Sequence, residues 1–237
     1  MLSAIINSVT APLETFQIIV KDFNWKQAVF PIGLLMILSV FSSFILSDQI
    51  ADLQWEQIQN SINNNSNISE EQKEEILGSQ YDRIYSNSGA TAIFIYVSTA
   101  ISWPLRIAFW SLFALIAGNL FLGGGESFKK VFTIASFAYL PSVLELIIKT
   151  PIQYATDNMA IFFGLGALGI GAQGEFLNSL LAGLDLFSLW RVYLMAVGFS
   201  LLYKKSINSS LNVVAGVWLF GIIIFSALGA FFAGLGG

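Results

Sequence analysis

LNVVAGVWLFGIIIFSALGAFFA, residues 211–233, carries no charged side chain. As an α-helix rising ~1.5 Å per residue, it is long enough to cross the ~30 Å hydrocarbon core of a bilayer. Lipid offers no partner to a backbone N–H or C=O, and within a single segment only a helix satisfies all of them internally. The stretch therefore predicts a membrane span. Comparable apolar runs recur toward the N-terminus at 184–203, 131–148, 90–122 and 28–47. The run 90–122 would be about 50 Å long as a helix, more than a span needs. Pro104 near its middle predicts a kink, and Pro141 lies inside the run 131–148.

Composition agrees with a chain solvated by lipid. Of 237 residues, 55% are hydrophobic and 11% charged, and the mean hydropathy is +0.71. A soluble domain of this size carries about a quarter of its residues charged. The chain has no cysteine and no histidine. Disulfides, thiolate nucleophiles, Cys/His metal sites, Ser-His-Asp triads and haem ligation are excluded together. No cofactor is expected, and catalysis would fall to carboxylates, lysine, arginine or hydroxyls.

Positive charge sets the direction of the spans. Lys21 and Lys26 precede the first span, Lys129 and Lys130 join the second to the third, and Lys204 and Lys205 join the fourth to the fifth. Short loops rich in lysine and arginine stay cytosolic. The three clusters share one side with five spans, and four or six would break the alternation. The expected fold is an all-α five-span bundle, multi-pass in a prokaryotic inner membrane, with its N-terminus cytosolic and its C-terminus extracytoplasmic.

The segments between spans differ in character. In 1–27, Leu13, Phe16, Ile19, Val20 and Phe23 recur at helical spacing after Pro12 and Glu14. That predicts an amphipathic helix on the membrane surface or on the bundle's cytosolic face. No cleavable signal peptide is expected there. Residues 48–89 form the one sizeable polar region, with eight acids and two bases from Asp48 to Ser88. They predict an extracytoplasmic hairpin of two helices, 48–59 and 69–85, the second opened by a Ser69/Gln72 capping box. Within the extracytoplasmic loop 149–183, residues 159–172 are apolar, short and glycine-dense, as suits a re-entrant or interfacial segment. Ser226, Ala230 and Gly234 form a small-xxx-small row suited to packing within the bundle.

Charges inside the spans are the candidates for function, because an ionised group in lipid is costly and faces a partner or a wet cavity. They are Arg106 beside Pro104, Glu145 and Lys149 one turn apart, Asp185, and Arg191 about 9 Å further along the helix. Three readings compete: mutual pairing, for instance of Glu145 with Lys149 or of Asp185 with a nearby base; a substrate, ion or proton site in a polar pocket opening outward; and interfacial snorkelling. Gly123-Gly124-Gly125-Glu126 lacks the lysine of a phosphate loop, and Gly164, Gly166, Gly169 and Gly171 do not form a nucleotide fingerprint. No carboxylate cluster is dense enough for a metal in the bilayer.

Several motifs resemble prokaryotic members of the Yip domain family. They are Ala11-Pro12-Leu13-Glu14-Thr15-Phe16 with Trp25 and Pro31; Phe128-Lys129-Lys130 followed by Ala138-Tyr139-Leu140-Pro141; and Leu184-Asp185-Leu186-Phe187-Ser188-Leu189-Trp190 with Gly198 and Lys204-Lys205. The last is the most specific. The eukaryotic relatives are Golgi and ER membrane proteins that interact with Ypt/Rab GTPases. The resemblance implies five spans with a cytosolic N-terminus and a non-enzymatic protein that organises membrane or partner proteins. The alternative is a channel or transporter for an ion or small polar solute built on the five intramembrane charges. The partners expected are membrane lipids, other membrane proteins or a second copy of the chain. Nucleic acid is not among them. Small GTPase binding is not expected either, since the long cytosolic N-terminal region of the eukaryotic proteins has no counterpart.

Overall fold

The structure, a computed structural model, describes residues 11–65, 67–85, 89–172 and 174–235. The first ten residues of the amphipathic segment, Ser66 and residues 86–88 fall outside that range, as does the side-chain packing of Gly234. The described chain is helical almost throughout, which agrees with the all-α expectation. Helix α1 is Pro12–Lys21, and a 3-10 turn, Trp25–Ala28, leads into α2, Val29–Ile45. Next come α3, Ser47–Asn63, and α4, Glu70–Tyr85. Helix α5, Gly89–Ala117, ends in a π-helical turn, Gly118–Gly123. Helices α6, Phe128–Ala138, and α7, Pro141–Thr156, follow. The chain closes with α8, Phe176–Gly183, α9, Leu186–Leu202, and α10, Ile207–Leu235.

Among the described residues, four stretches are long and apolar enough to cross a membrane: Trp25–Ile45, Ala92–Gly123, Phe128–Thr156 and Ile207–Phe232. The run expected as a fourth span is the shorter apolar helix Leu186–Leu202. At 17 residues it reaches about 25 Å, the low end for a crossing. Its surroundings account for its composition. Helix α9 packs against α1, α6, α7 and α10, and Leu194 through Ser200 are all buried. A helix that is apolar all round belongs in a protein interior. Large side chains on the outer helices point the other way: Phe41, Phe94, Phe121 and Phe220 are exposed, as a lipid-facing surface requires.

Two expected spans differ in detail. The run 131–148 lies within a longer stretch that breaks at Tyr139 and Leu140 into α6 and α7. Pro141 takes the first position of α7, where its missing N–H leaves nothing unsatisfied. Leu140 N–H turns to Phe137 O (3.1 Å) and Ser142 N–H to Tyr139 O (2.9 Å). Thr133 and Ser136 also donate back to the carbonyls of Lys129 and Thr133, which bends helices. In α5, by contrast, the helix runs unbroken past Pro104. The segment 159–172 is irregular except for a 3-10 turn, Leu165–Leu168, and Gly164 pairs with Asp185 in an isolated antiparallel bridge.

One end of the bundle collects Lys21, Lys26, Lys129, Lys130, Lys204 and Lys205. Helix α1 lies there against α9, with Phe16 fully buried beside Gly198, where a Cβ would collide with Ile134. At the same end Tyr203 Oη donates to Asn119 Oδ1 (3.0 Å), and Lys130 pairs with Glu126 (2.8 Å). Helix α9 stops in a left-handed residue, Lys204 at φ 54°, whose neighbour Lys205 donates its N–H to Ser200 O (3.0 Å). Glycine would adopt that φ freely, so a lysine charge is kept at some conformational cost.

The α3–α4 hairpin stands at the opposite end and buries no residue. Its helices meet through an aromatic column in which Trp55 contacts Tyr81 (5.2 Å) and Tyr81 contacts Tyr85 (4.6 Å). Tyr85 donates to Asp52 Oδ1 (2.6 Å), and that carboxylate pushes the phenol up to about 12. Ser69 and Gln72 form the expected capping box.

Helices α5 and α10 cross at Gly221, where a Cβ would collide with the Trp110 ring. Gly221→Val is expected to cost about 1–3 kcal/mol through overpacking and to lower the thermal midpoint in detergent by several degrees. Gly216, with nothing within 4 Å of its Cβ position, supplies the control: Gly216→Val should leave the midpoint unchanged.

Candidate functional site

The break between α6 and α7 delivers Ser142 and Glu145 to the face of α7 that meets α9. One carboxylate there serves two bases. Glu145 Oε1 receives Lys149 Nζ at 2.7 Å from the next turn of its own helix. Glu145 Oε2 receives Arg191 Nη1 at 2.9 Å from α9. The same Nη1 donates to Ser142 Oγ at 2.7 Å, and Nη2 donates to Ser188 Oγ. The side chains of Glu145, Lys149 and Arg191 are between 18% and 22% exposed, so the ion pairs sit largely inside protein, where screening is weak.

Asp185 has a different task from pairing with a base. It is the N-cap of α9, accepting Ser188 N–H at Oδ1 (3.0 Å) and Ser188 Oγ–H at Oδ2. Its carboxylate thereby meets the positive end of the helix dipole. The β-bridge to Gly164 holds the backbone there, with Leu165 N–H on Leu184 O (3.1 Å) and Leu186 N–H on Phe163 O (3.1 Å). Phe163 is thereby placed over the cluster, its ring 6.0 Å from Lys149 Nζ.

Arg106 stands apart from this network. Its guanidinium lies 5.3 Å from the centre of the Trp103 ring, and among the described residues it forms no ion pair with a carboxylate. Arg106 and Arg191 nonetheless share a cavity of about 250 Å3 enclosed by α5, α6, α9 and α10, which also takes in Tyr139, Ser188 and Trp218. Arg191 lies over the Tyr139 ring at 5.6 Å.

Of the five charges singled out in the sequence, Glu145, Lys149, Arg191 and Asp185 thus join one network through Ser188, and Arg106 meets Arg191 across a cavity. Ser142, Ser188 and Tyr139 are additions that charge alone does not reveal. An aspartate just before an apolar run, as Asp185 stands before Leu186, is an N-cap signature; Ser142 has no comparable signal beyond following Pro141. No group of three His, Cys, Asp or Glu side chains able to hold a metal occurs among the described residues.

A model of the Yip1 domain matches residues 6–228. Among curated proteins, the chain is similar to membrane protein YknW of Bacillus subtilis (strain 168), with 29% identity over 114 residues. That match takes in 48% of this chain and 47% of the relative, so it spans about half of each. No solved structure matches.

The shared carboxylate generates a stability prediction. Glu145→Gln leaves Arg191 and Lys149 facing each other without an anion, and should cost about 3–5 kcal/mol. Replacing Glu145, Lys149 and Arg191 together by Leu, Met and Met should recover most of that loss. Urea or thermal unfolding of the purified protein in one detergent compares them. A triple variant no more stable than Glu145→Gln would mean that the network's hydrogen bonds, not its charge balance, hold α7 to α9.

Proposed function

The chain belongs to the Yip1 domain family, and from that premise we propose that it is a non-enzymatic, multi-pass membrane protein that organises partner proteins or the bilayer around it. The observation that supports this reading is the pairing of Glu145 with both Lys149 and Arg191, together with the use of Asp185 as a helix cap. Charges spent on helix register are architecture rather than a reaction centre. The outer helices meanwhile present large apolar side chains, Phe94 and Phe220 among them, to whatever lies beside the bundle in the membrane.

The orientation we propose puts the lysine end in the cytosol of a prokaryotic cell and the acidic hairpin outside, following the bias of short basic loops toward the cytosol. Helix α9 counts as the fourth of five crossings, which carries the C-terminus to the outer side. A second reading, transport of a small anion, draws on the cavity shared by Arg106 and Arg191.

The absence of cysteine makes orientation directly testable with single-cysteine variants. A membrane-impermeant maleimide should label Asn64→Cys in intact cells and Lys205→Cys only after the inner face is opened; the reverse pattern overturns the orientation. For function, photo-crosslinkers at Phe94 and Phe220 should capture discrete membrane proteins or a second copy of the chain. Proteoliposomes should carry no protein-dependent flux of sodium, potassium, chloride or phosphate. A flux abolished by Arg191→Ala and Asp185→Ala, without discrete crosslinks, would replace the organising role by transport.

A further inference from the structure

Arg106 and Arg191 belong to different helices that are tied at one end. Tyr203, next after α9, bonds to Asn119 in the turn that ends α5, and it packs so closely on Gly118 that a Cβ there would overlap its ring. From this tie each helix runs back toward the hairpin end. Long helical side chains lean toward their own N-terminus, and both arginines do so by one turn: Arg106 onto Trp103 and Arg191 onto Ser188. Trp103 and Ser188 each lie ~14 residues, roughly 21 Å, from the tied ends. Both arginines therefore line the cavity at a similar helical distance from the tied end.

The charge around them does not close. Arg106, Lys149 and Arg191 are set against Glu145 and Asp185, which leaves one positive charge over, and among the described residues Arg106 is the one of these bases that no carboxylate pairs. Inside a bilayer an uncompensated guanidinium is costly. The planar fork of arginine matches the oxygens of a phosphate better than it matches a spherical ion.

Beside the cavity runs a second, larger space of about 620 Å3 between α5 and α10. Its walls are apolar side chains such as Phe109, Phe113, Phe220 and Phe225. Trp110 and Val217 line both spaces. A polar recess with two arginines opening beside an apolar groove has the outline of a phospholipid, phosphate in one and acyl chain in the other.

We propose that Arg106 and Arg191 form a binding site for a phosphate group between α5, α9 and α10, with an anionic phospholipid, whose phosphate charge no headgroup ammonium offsets, as the carrier that the adjoining groove favours. The site stands whichever way the chain is oriented and whether or not it organises other proteins. Arg191 is already fixed by Glu145 and Ser142, so Arg106 is the residue whose engagement depends on the ligand.

The full chain in phosphatidylcholine nanodiscs tests this, with brominated-chain phosphatidylglycerol titrated in and tryptophan emission recorded, since Trp110 stands between cavity and groove. Brominated phosphatidylglycerol should quench at a lower mole fraction than brominated phosphatidylcholine. Arg106→Gln should shift half-quenching about tenfold upward, the loss of one charged hydrogen-bonding partner, while Arg106→Lys keeps part of the preference. A second arm adds inorganic phosphate to the protein in detergent. An Arg106-dependent response there, without lipid preference, supports the phosphate site and assigns it to a free anion. Equal quenching by the two lipids together with no response to phosphate overturns the proposal, and this comparison needs only the unsubstituted protein should Arg106→Gln fail to fold. Arg106→Gln indistinguishable from the unsubstituted protein in both arms overturns it equally.

Discussion

The contact on which the rest of the bundle depends is the Glu145 carboxylate held by both Arg191 and Lys149. Helix α9 is too short to be anchored by length, and its apolar surface gives it no preferred rotation among its neighbours. A hydrophobic face can slide by a turn at little cost when lipid and protein are equally apolar. An ion pair cannot, because a slipped register would strand an arginine in a medium of low dielectric. Glu145 thus fixes α9 against α7 in depth and in rotation. Asp185 fixes where α9 begins, and the Tyr203–Asn119 hydrogen bond fixes its other end against α5.

The fold class was legible in the sequence because the bilayer imposes a coarse and unforgiving rule. Runs such as 211–233 have no other stable state in lipid, and so an all-α bundle followed without any knowledge of its packing. Helix breaks were less legible. Pro104 and Pro141 carry the same local signal, yet the helix continues past the first and restarts at the second. Hydroxyl back-bonds precede both prolines, from Ser98 and Ser102 in α5 and from Thr133 and Ser136 in α6, and what sets Pro141 apart is the turn before it, where the N–H groups of Leu140 and Ser142 bond to the Phe137 and Tyr139 carbonyls. Such compensation is tertiary and local at once, and hydropathy does not record it.

The candidate site shows a similar division. The charged residues stood out because charge is rare in these spans, but which base Glu145 meets depends on the α7–α9 crossing, a relation between residues 46 apart in sequence. The charge of Asp185 suggests pairing with a base, whereas its position just before an apolar run identifies an N-cap. Hydroxyls such as Ser142 carry no net charge and little hydropathic weight, and only geometry shows that Ser142 supports Arg191.

Arg106 gains its meaning from that division. Had its side chain been paired like Arg191, the cavity would be a packing defect beside a closed network. Instead the bundle balances every other intramembrane charge and leaves this one facing a recess that Arg191 also enters. A helix could lose such a residue without losing register, because Arg106 forms no ion pair with another helix among the described residues. Its desolvation is therefore not repaid by folding within the chain. The partner that offsets it has to come from outside, and at that depth the bilayer is the nearest source of an anion joined to an apolar chain.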